Sequence, residues 1–304
     1  MKRGGPTVAD VGENALLEAL LGALPAPARF AGVGDDCAVI GPATRGRLTL
    51  LKTDCVIEGV HFISGTAAHA VGWKALCRPL SDLAAMGGRP AHALVTLALG
   101  ADTPVAYARG IYAGLGRAAK EFGVRVAGGE TALSPGPIFL SVCLMGTVAA
   151  RACIRRSGGR AGDRLYVTGR LGGSFASGRH LRFRPRLAEG EWLAAHFAPT
   201  AMMDLSDGLV ADLPRLARAS ETGFRLDRSS VPRARGCSID QALGDGEDYE
   251  LLFAMRPRRA LALEAAWRRK FPRLTLTCIG ELDGPGTASG LGAATGYEHF
   301  TATK

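Results

Sequence analysis

Apolar residues at positions 16, 17, 20, 21 and 24 recur at helical spacing between Glu13 and Leu24, and Pro25 closes that stripe. The segment Arg47–Thr53 reads as a strand, followed by helical patterns at His69–Leu76 and Leu80–Met86, the second stopped by Gly87-Gly88. Ala91–Leu99 is strand-like, and Pro104–Phe122 is a long amphipathic helix with proline in its first turn. Val124–Ala127 and Ile138–Val148 read as strands. Further on, Arg164–Thr168 and Tyr249–Ala254 are expected strands, and Leu209–Ala219 and Pro257–Lys270 expected helices. Strands and helices alternate in both halves, which predicts an α/β or α+β protein. The basic, glycine-rich stretch 149–162 has no clear hydrophobic period and is the expected boundary between a domain at 1–150 and another at 151–304.

Two domains of ordinary size suit a chain of 304 residues, of which 47% are hydrophobic and 21% charged. No apolar run approaches the roughly 18 residues that span a bilayer. Asp10, Glu13 and Glu18 interrupt any signal-peptide core, so a cytoplasmic protein is expected. The seven cysteines are scattered without a Cys-x-x-Cys pair, which argues against zinc and disulfides and fits thiols in a reducing compartment. The net charge of +9 favours anionic partners. From Arg151 to Arg186 there are ten arginines against one acid, Asp163, a density that serves phosphates or a solvated face equally well. No interleaved aromatic residues accompany it, so neither nucleic acid nor membrane is an expected partner.

Several common nucleotide, zinc and hydrolase motifs are missing. There is no Gly-Lys dipeptide and hence no Walker A loop, no Gly-x-Gly-x-x-Gly, no His-Glu-x-x-His and no Gly-x-Ser-x-Gly. Carboxylates beside glycines or at strand ends are present instead: Asp35 and Asp36, Asp54, Asp82, Glu130, Asp204, Asp207 and Asp212, and Glu247 with Asp248. Hard oxygen ligands of this kind suit Mg²⁺, which binds a few carboxylates together with substrate phosphates. Each one alone is equally well an ordinary turn or, at Asp204 and Asp207, a helix cap.

The segments GVGDDCAVI, TDCVIEGVHF, GWKALCRPLSDLAAMGGRP, VAGGET, RRSGGRAGDRLYVTG, DLSDGLVADL, GEDYELLF and GYEHF occur in this order from about Gly12 to Phe300. The series resembles the thiamine-monophosphate kinases, of the superfamily that includes aminoimidazole ribonucleotide synthetase. The resemblance implies a homodimer whose N-terminal α/β domains pair, a larger C-terminal α/β domain, and ATP with several Mg²⁺ ions in an acidic cleft. It implies metal ligation by Asp36, Thr53, Asp54, Asp82, Glu130, Asp204 and Asp207. ATP would meet Tyr112, Gly129, Glu130, Arg156 and Ser206, and thiamine monophosphate would face His61, Glu247 and Tyr297. The acceptor phosphate, with a second pKa near 6, is largely ionised at pH 7, so no general base is expected and His61 is not assigned as one.

Three residues depart from the family pattern: Glu130 where aspartate is usual, Leu133 where arginine is common, and Lys52 where a small hydroxylated residue is expected. A protonated lysine cannot ligate Mg²⁺. The segment after Leu171-Gly172-Gly173-Ser174 is also short, an expected trimming of the surface. Rival readings are a relative with a different acceptor, a silent nucleotide-binding dimer, and nucleic-acid binding through the arginine-rich segment, which steep salt dependence would reveal.

Overall fold

Two sheets organise the chain, one from each half, in a computed structural model that describes residues 7–23 and 34–300. Leu24 and Pro25, where the first helical stripe was expected to end, and Gly32 and Val33 lie outside the described residues.

Helix α1 (Val8–Gly22) is broken at Gly12, whose φ of 75° is left-handed. Its stripe stays open, with Leu17, Leu20 and Leu21 exposed. The first sheet has the order β1 (Ala38–Thr44), β2 (Arg47–Ile57), β5 (Phe139–Ala149), β3 (Arg89–Leu99), β4 (Arg125–Leu133). Neighbours are antiparallel except the parallel pair β3 and β4. Alternation along β2, β3 and β5 sends Leu50, Val95, Leu97, Leu140, Val142 and Leu144 to one face. That face is covered by α2 (Ala68–Ala85) and α3 (Val105–Phe122). The other face is open and carries Thr53, Leu94 and Cys143, all exposed.

Helix α2 is continuous where two helices were expected, running straight through Pro79. Proline removes one backbone hydrogen bond there. Burial of nearly every residue from Val71 to Ala85 outweighs that loss. Helices α2 and α3 cross at backbone contact: a Cβ on Gly72 would lie 1.8 Å from the Ile111 carbonyl, and one on Gly114 1.9 Å from that of His69.

The second sheet has the order β11 (Ala288–Ser289), β8 (Gly223–Leu226), β10 (Leu276–Asp283), β6 (Arg164–Thr168), β9 (Leu251–Met255), β7 (Ala201–Asp204). It is covered on both faces. Leu165, Val167 and Leu252 pack under α5 (Leu209–Ala219) and α6 (Ile239–Gly244). Tyr166 and Phe253 pack under α4 (Leu187–His196) and α7 (Pro257–Lys270).

The short segment after Ser174 packs against both halves of the chain. Trp73 Nε1 donates 2.8 Å to the Phe183 carbonyl, and the Phe183 ring stacks on Tyr249 with centroids 3.8 Å apart. Arg186 holds Glu250 through two hydrogen bonds of 2.5 and 2.7 Å. Half of the ten arginines in that stretch are ion-paired: besides Arg186, Arg155 pairs with Asp35, Arg156 with Asp36, Arg179 with Asp248 and Arg184 with Glu121.

Candidate active site

The turn before β1 holds Asp36, where the Cys37 N–H donates to Met86 Sδ at the end of α2. Asp82 lies on α2 one turn from that end, and Asp204 ends β7 of the second sheet. Among the described residues, these three buried carboxylates bring an oxygen each within 4.8 Å of one another. Ser81 Oγ donates 2.6 Å to Asp204 Oδ2, and Arg156 Nη2 donates 2.8 Å to Asp36 Oδ1. Burial pushes the Asp82 and Asp204 carboxyls well above the usual carboxylate range; neighbouring aspartates push the same way, and Lys52 opposes. Asp36 Oδ2 is buried with no hydrogen-bond partner among the described residues. An orphaned oxygen within a ring of hard oxygen donors fits a divalent cation such as Mg²⁺.

Alternation along β2 places Lys52 and Asp54 on the helix-covered face beside this ring. Lys52 Nζ lies 2.6 Å from Asp82 Oδ1, and Arg78 Nη2 lies 3.7 Å from Asp54 Oδ1. Thr53 points the opposite way, to the open face, where its hydroxyl is 3.3 Å from Ser141 Oγ. Only its backbone can reach the ring.

A cavity of about 200 Å³ adjoins Asp54 through Arg78. It is lined by His61, Glu247 and Tyr297, expected at the acceptor, by Ser206, expected at ATP, by Asp207, expected at metal but outside the ring, and by Arg78, Phe175 and Tyr249. Arg78 lines the cavity, and its Nε and Nη1 are buried without a hydrogen-bond partner among the described residues. Lys74, fully buried, donates to the His61 carbonyl at 2.6 Å and to Glu247 Oε2 at 2.5 Å. Burial lowers its pKa to about 8, against the pull of Glu247. His61 Nδ1 accepts from the Ile57 N–H at 3.1 Å, which leaves Nε2–H as the ring's donor. Burial and the Arg78 and Lys74 charges lower the His61 pKa to about 3, so the ring is neutral at pH 7.

Backbone geometry carries the rest. Glu247 and Tyr249 adopt positive φ angles of 53° and 51°, and their N–H groups reach the Ser206 and Leu205 carbonyls. Asp212 accepts from the N–H groups of Ser206 and Asp207 at 3.1 and 3.0 Å, fixing the turn into α5. Asp207 has its carboxylate paired with Arg215, while its carbonyl accepts from the Tyr297 N–H.

Three expected nucleotide contacts are not brought to the ring within one chain. Tyr112 is exposed on α3. Gly129 and Glu130 lie on the edge strand β4, where a Cβ on Gly129 would meet the Val95 carbonyl at 1.8 Å. Register aligns Glu130 with Thr96, Ser141 and Cys55 on the open face. Three strand spacings, about 14 Å, separate it from β2.

Lys74 and Arg78 went unrecognised in the sequence, although both stand in GWKALCRPLSD. Their spacing of four puts them on one face of α2, a signal that was available.

Residues 34–148 match the family described as AIR synthase related protein, N-terminal domain. The thiamine-monophosphate kinase of Rhodopirellula baltica is 36% identical over 251 residues, covering 77% of this chain and 78% of that one. The chain belongs to the thiamine-monophosphate kinase family. The thiamine-monophosphate kinase of Synechococcus elongatus is 34% identical over 286 residues, covering 84% and 86%. The solved structure of AaThiL complexed with AMPPCP and TMP superposes with a TM-score of 0.84 at 30% identity, over 97% of this chain and 99% of that one. The two-sheet α/β fold is therefore that of a thiamine-monophosphate kinase, and the acidic ring and adjoining cavity lie within it.

Proposed function

We propose that the chain transfers the γ-phosphoryl group of ATP to the phosphate of thiamine monophosphate, giving thiamine diphosphate and ADP. The observation that carries this reading is the contiguity of the acidic ring with a cavity that faces it through Arg78 and Asp54. An acceptor phosphate oxygen attacks the γ-phosphorus as the bond to the β–γ bridging oxygen breaks. Both reactants are anions, so the chain's task is to hold them in line and neutralise their repulsion.

Asp36, Asp82 and Asp204, with Asp54 beside them, would hold Mg²⁺, which when bound neutralises the phosphates of both substrates. Arg156, fixed on Asp36, is placed for the nucleotide phosphates. Arg78 offers its unpartnered nitrogens to the acceptor phosphate. Lys74 fixes Glu247 and the His61 loop, and His61 offers Nε2–H as a donor rather than acting as a base. Glu247 sets a carboxylate against the cationic thiazolium, with Tyr297 at the cavity wall.

Gly129, Glu130 and Tyr112 belong to the same site only if a second copy supplies them. The open face of the first sheet, with Ile40 and Leu94 exposed on it, suits pairing with its counterpart in a homodimer. A domain boundary between β5 and β6 goes with this arrangement, residues 1–150 carrying the pairing face and 151–304 completing each site. Among the described residues no helix is long and apolar enough to cross a membrane, and a cytoplasmic enzyme is the fitting setting.

The test is incubation with ATP, Mg²⁺ and thiamine monophosphate, with chromatography for thiamine diphosphate. Product that requires ATP and metal and disappears in Asp54→Asn is expected. A folded, ATP-binding protein that makes none would redirect the assignment to another phosphorylated acceptor.

A further inference from the structure

Lys52 stands on the helix-covered face of β2, and its ammonium is directed into the acidic ring. It lies 2.6 Å from Asp82 Oδ1, and the charges of Asp54 and Asp36 also act on it. Its side chain is only 24% exposed, so the charge is held inside the site and not in solvent. The other side of the ring is different. Asp36 Oδ2 is buried without a partner among the described residues, within 4.8 Å of oxygens from Asp82 and Asp204. The Asp82 flank therefore has an ammonium set into it, while Asp36, although Arg156 holds its Oδ1, keeps Oδ2 unpaired.

We propose that the Lys52 ammonium takes the place of one divalent cation, so that each site works with one metal ion fewer than its carboxylates would otherwise hold. This rests on reading the ring as the divalent-metal and ATP site. An ammonium donates three hydrogen bonds and carries one positive charge, enough to offset Asp82 without a dehydrated ion. Mg²⁺ approaching Asp82 Oδ1 would need about 2.0–2.1 Å to oxygen and its own octahedral shell. That volume is filled by Nζ. A tethered cation is also always present, whereas a free one must be captured at each turnover or retained. The flank on Asp36 and Asp204 remains the entry for exchangeable metal.

The experiment counts bound Mn²⁺ per protomer by the loss of the free-ion electron paramagnetic resonance signal, with a non-hydrolysable ATP analogue present. Wild type is compared with Lys52→Ser, which supplies an oxygen ligand, and Lys52→Met, which keeps the stem and removes the charge. Each variant is expected to bind one more Mn²⁺ per protomer than wild type. Its thermal midpoint is expected to depend more steeply on metal concentration. If the serine variant does not fold, the methionine variant decides. Equal stoichiometry in all three proteins, with wild type binding Mn²⁺ saturably, would overturn the role of Lys52 and leave the metal ring standing. No saturable Mn²⁺ in any of them would remove the ring as a metal site and this inference with it.

Discussion

The Ser81 hydroxyl donates a 2.6 Å hydrogen bond to Asp204 Oδ2, joining side chains 123 positions apart in the chain. Ser81 and Asp82 are neighbours on α2, so one residue steers the second sheet's carboxylate while the next supplies its counterpart. Loss of a hydrogen bond to a charged group costs about 1.5–3 kcal/mol. Ser81→Ala is expected to lower kcat/KM about tenfold at limiting Mg²⁺, with partial recovery at high Mg²⁺, and to lower the urea midpoint through loss of the buried bond. Unaltered turnover across the metal titration would show that Asp204 needs no such steering.

Arg78 lines the cavity beside Asp54 and has two buried nitrogens without partners among the described residues. On the proposed reading, a guanidinium at that point would pair with the acceptor's phosphate. Arg78→Met is expected to raise KM for thiamine monophosphate by about tenfold or more while leaving KM for ATP within about twofold. Steady-state kinetics with each substrate varied separately measures this. Equal weakening of both substrates would place Arg78 in general support of the fold.

His61 gives a pH prediction. Its pKa is lowered from 6.5 to about 3 in the folded protein, chiefly by burial. The unfolded chain therefore binds a proton that the folded chain refuses between those values. Stability from this residue is fully present above pH 6.5 and is lost as pH falls toward 3, at up to about 1.4 kcal/mol per unit. Urea midpoints of wild type and His61→Asn between pH 7.5 and 5 should converge on the acidic side. Parallel curves would mean that His61 already titrates in the folded state.

Glu130 and Asp54 lie on strands separated by β5 and β3, with Glu130 on the open face. If a second copy supplies Glu130, Asp54→Asn and Glu130→Ala are each inactive alone. Subunit exchange between them restores about a quarter of wild-type activity, because each mixed dimer then contains one intact site. Glu130→Asp is expected to remain active, since an exposed edge position imposes no packing on the shorter side chain. Absence of any restoration after verified exchange would put Glu130 outside the partner's site.

Local rules made much of this legible. Strand β6 and helices α5 and α7 have the expected limits, because period and flanking residues agree there. Asp36, Asp82 and Asp204 were expected ligands and do converge. Spacing could not show it, because the third arrives on a sheet built from later sequence. Thr53 was put with the metal ligands although β2 alternates, and a period of two already sends it to the opposite face from Asp54. Helix α2 was divided at Pro79 because a local rule cannot weigh burial on all sides. Strands β7 and β8, of four residues each, are too short for periodicity to register. Lys52 was marked as a mismatch, and its partner only becomes visible once Asp82 is turned toward β2.

The division of the ring between two sheets also fixes when it can exist. A ribosome releases Asp36, Lys52, Asp54 and Asp82 long before Asp204, and the first sheet can form while the second is unmade. The Lys52–Asp82 pair lies wholly within the part of the chain made first. The third carboxylate of the ring is in place only once β7 has docked against α2.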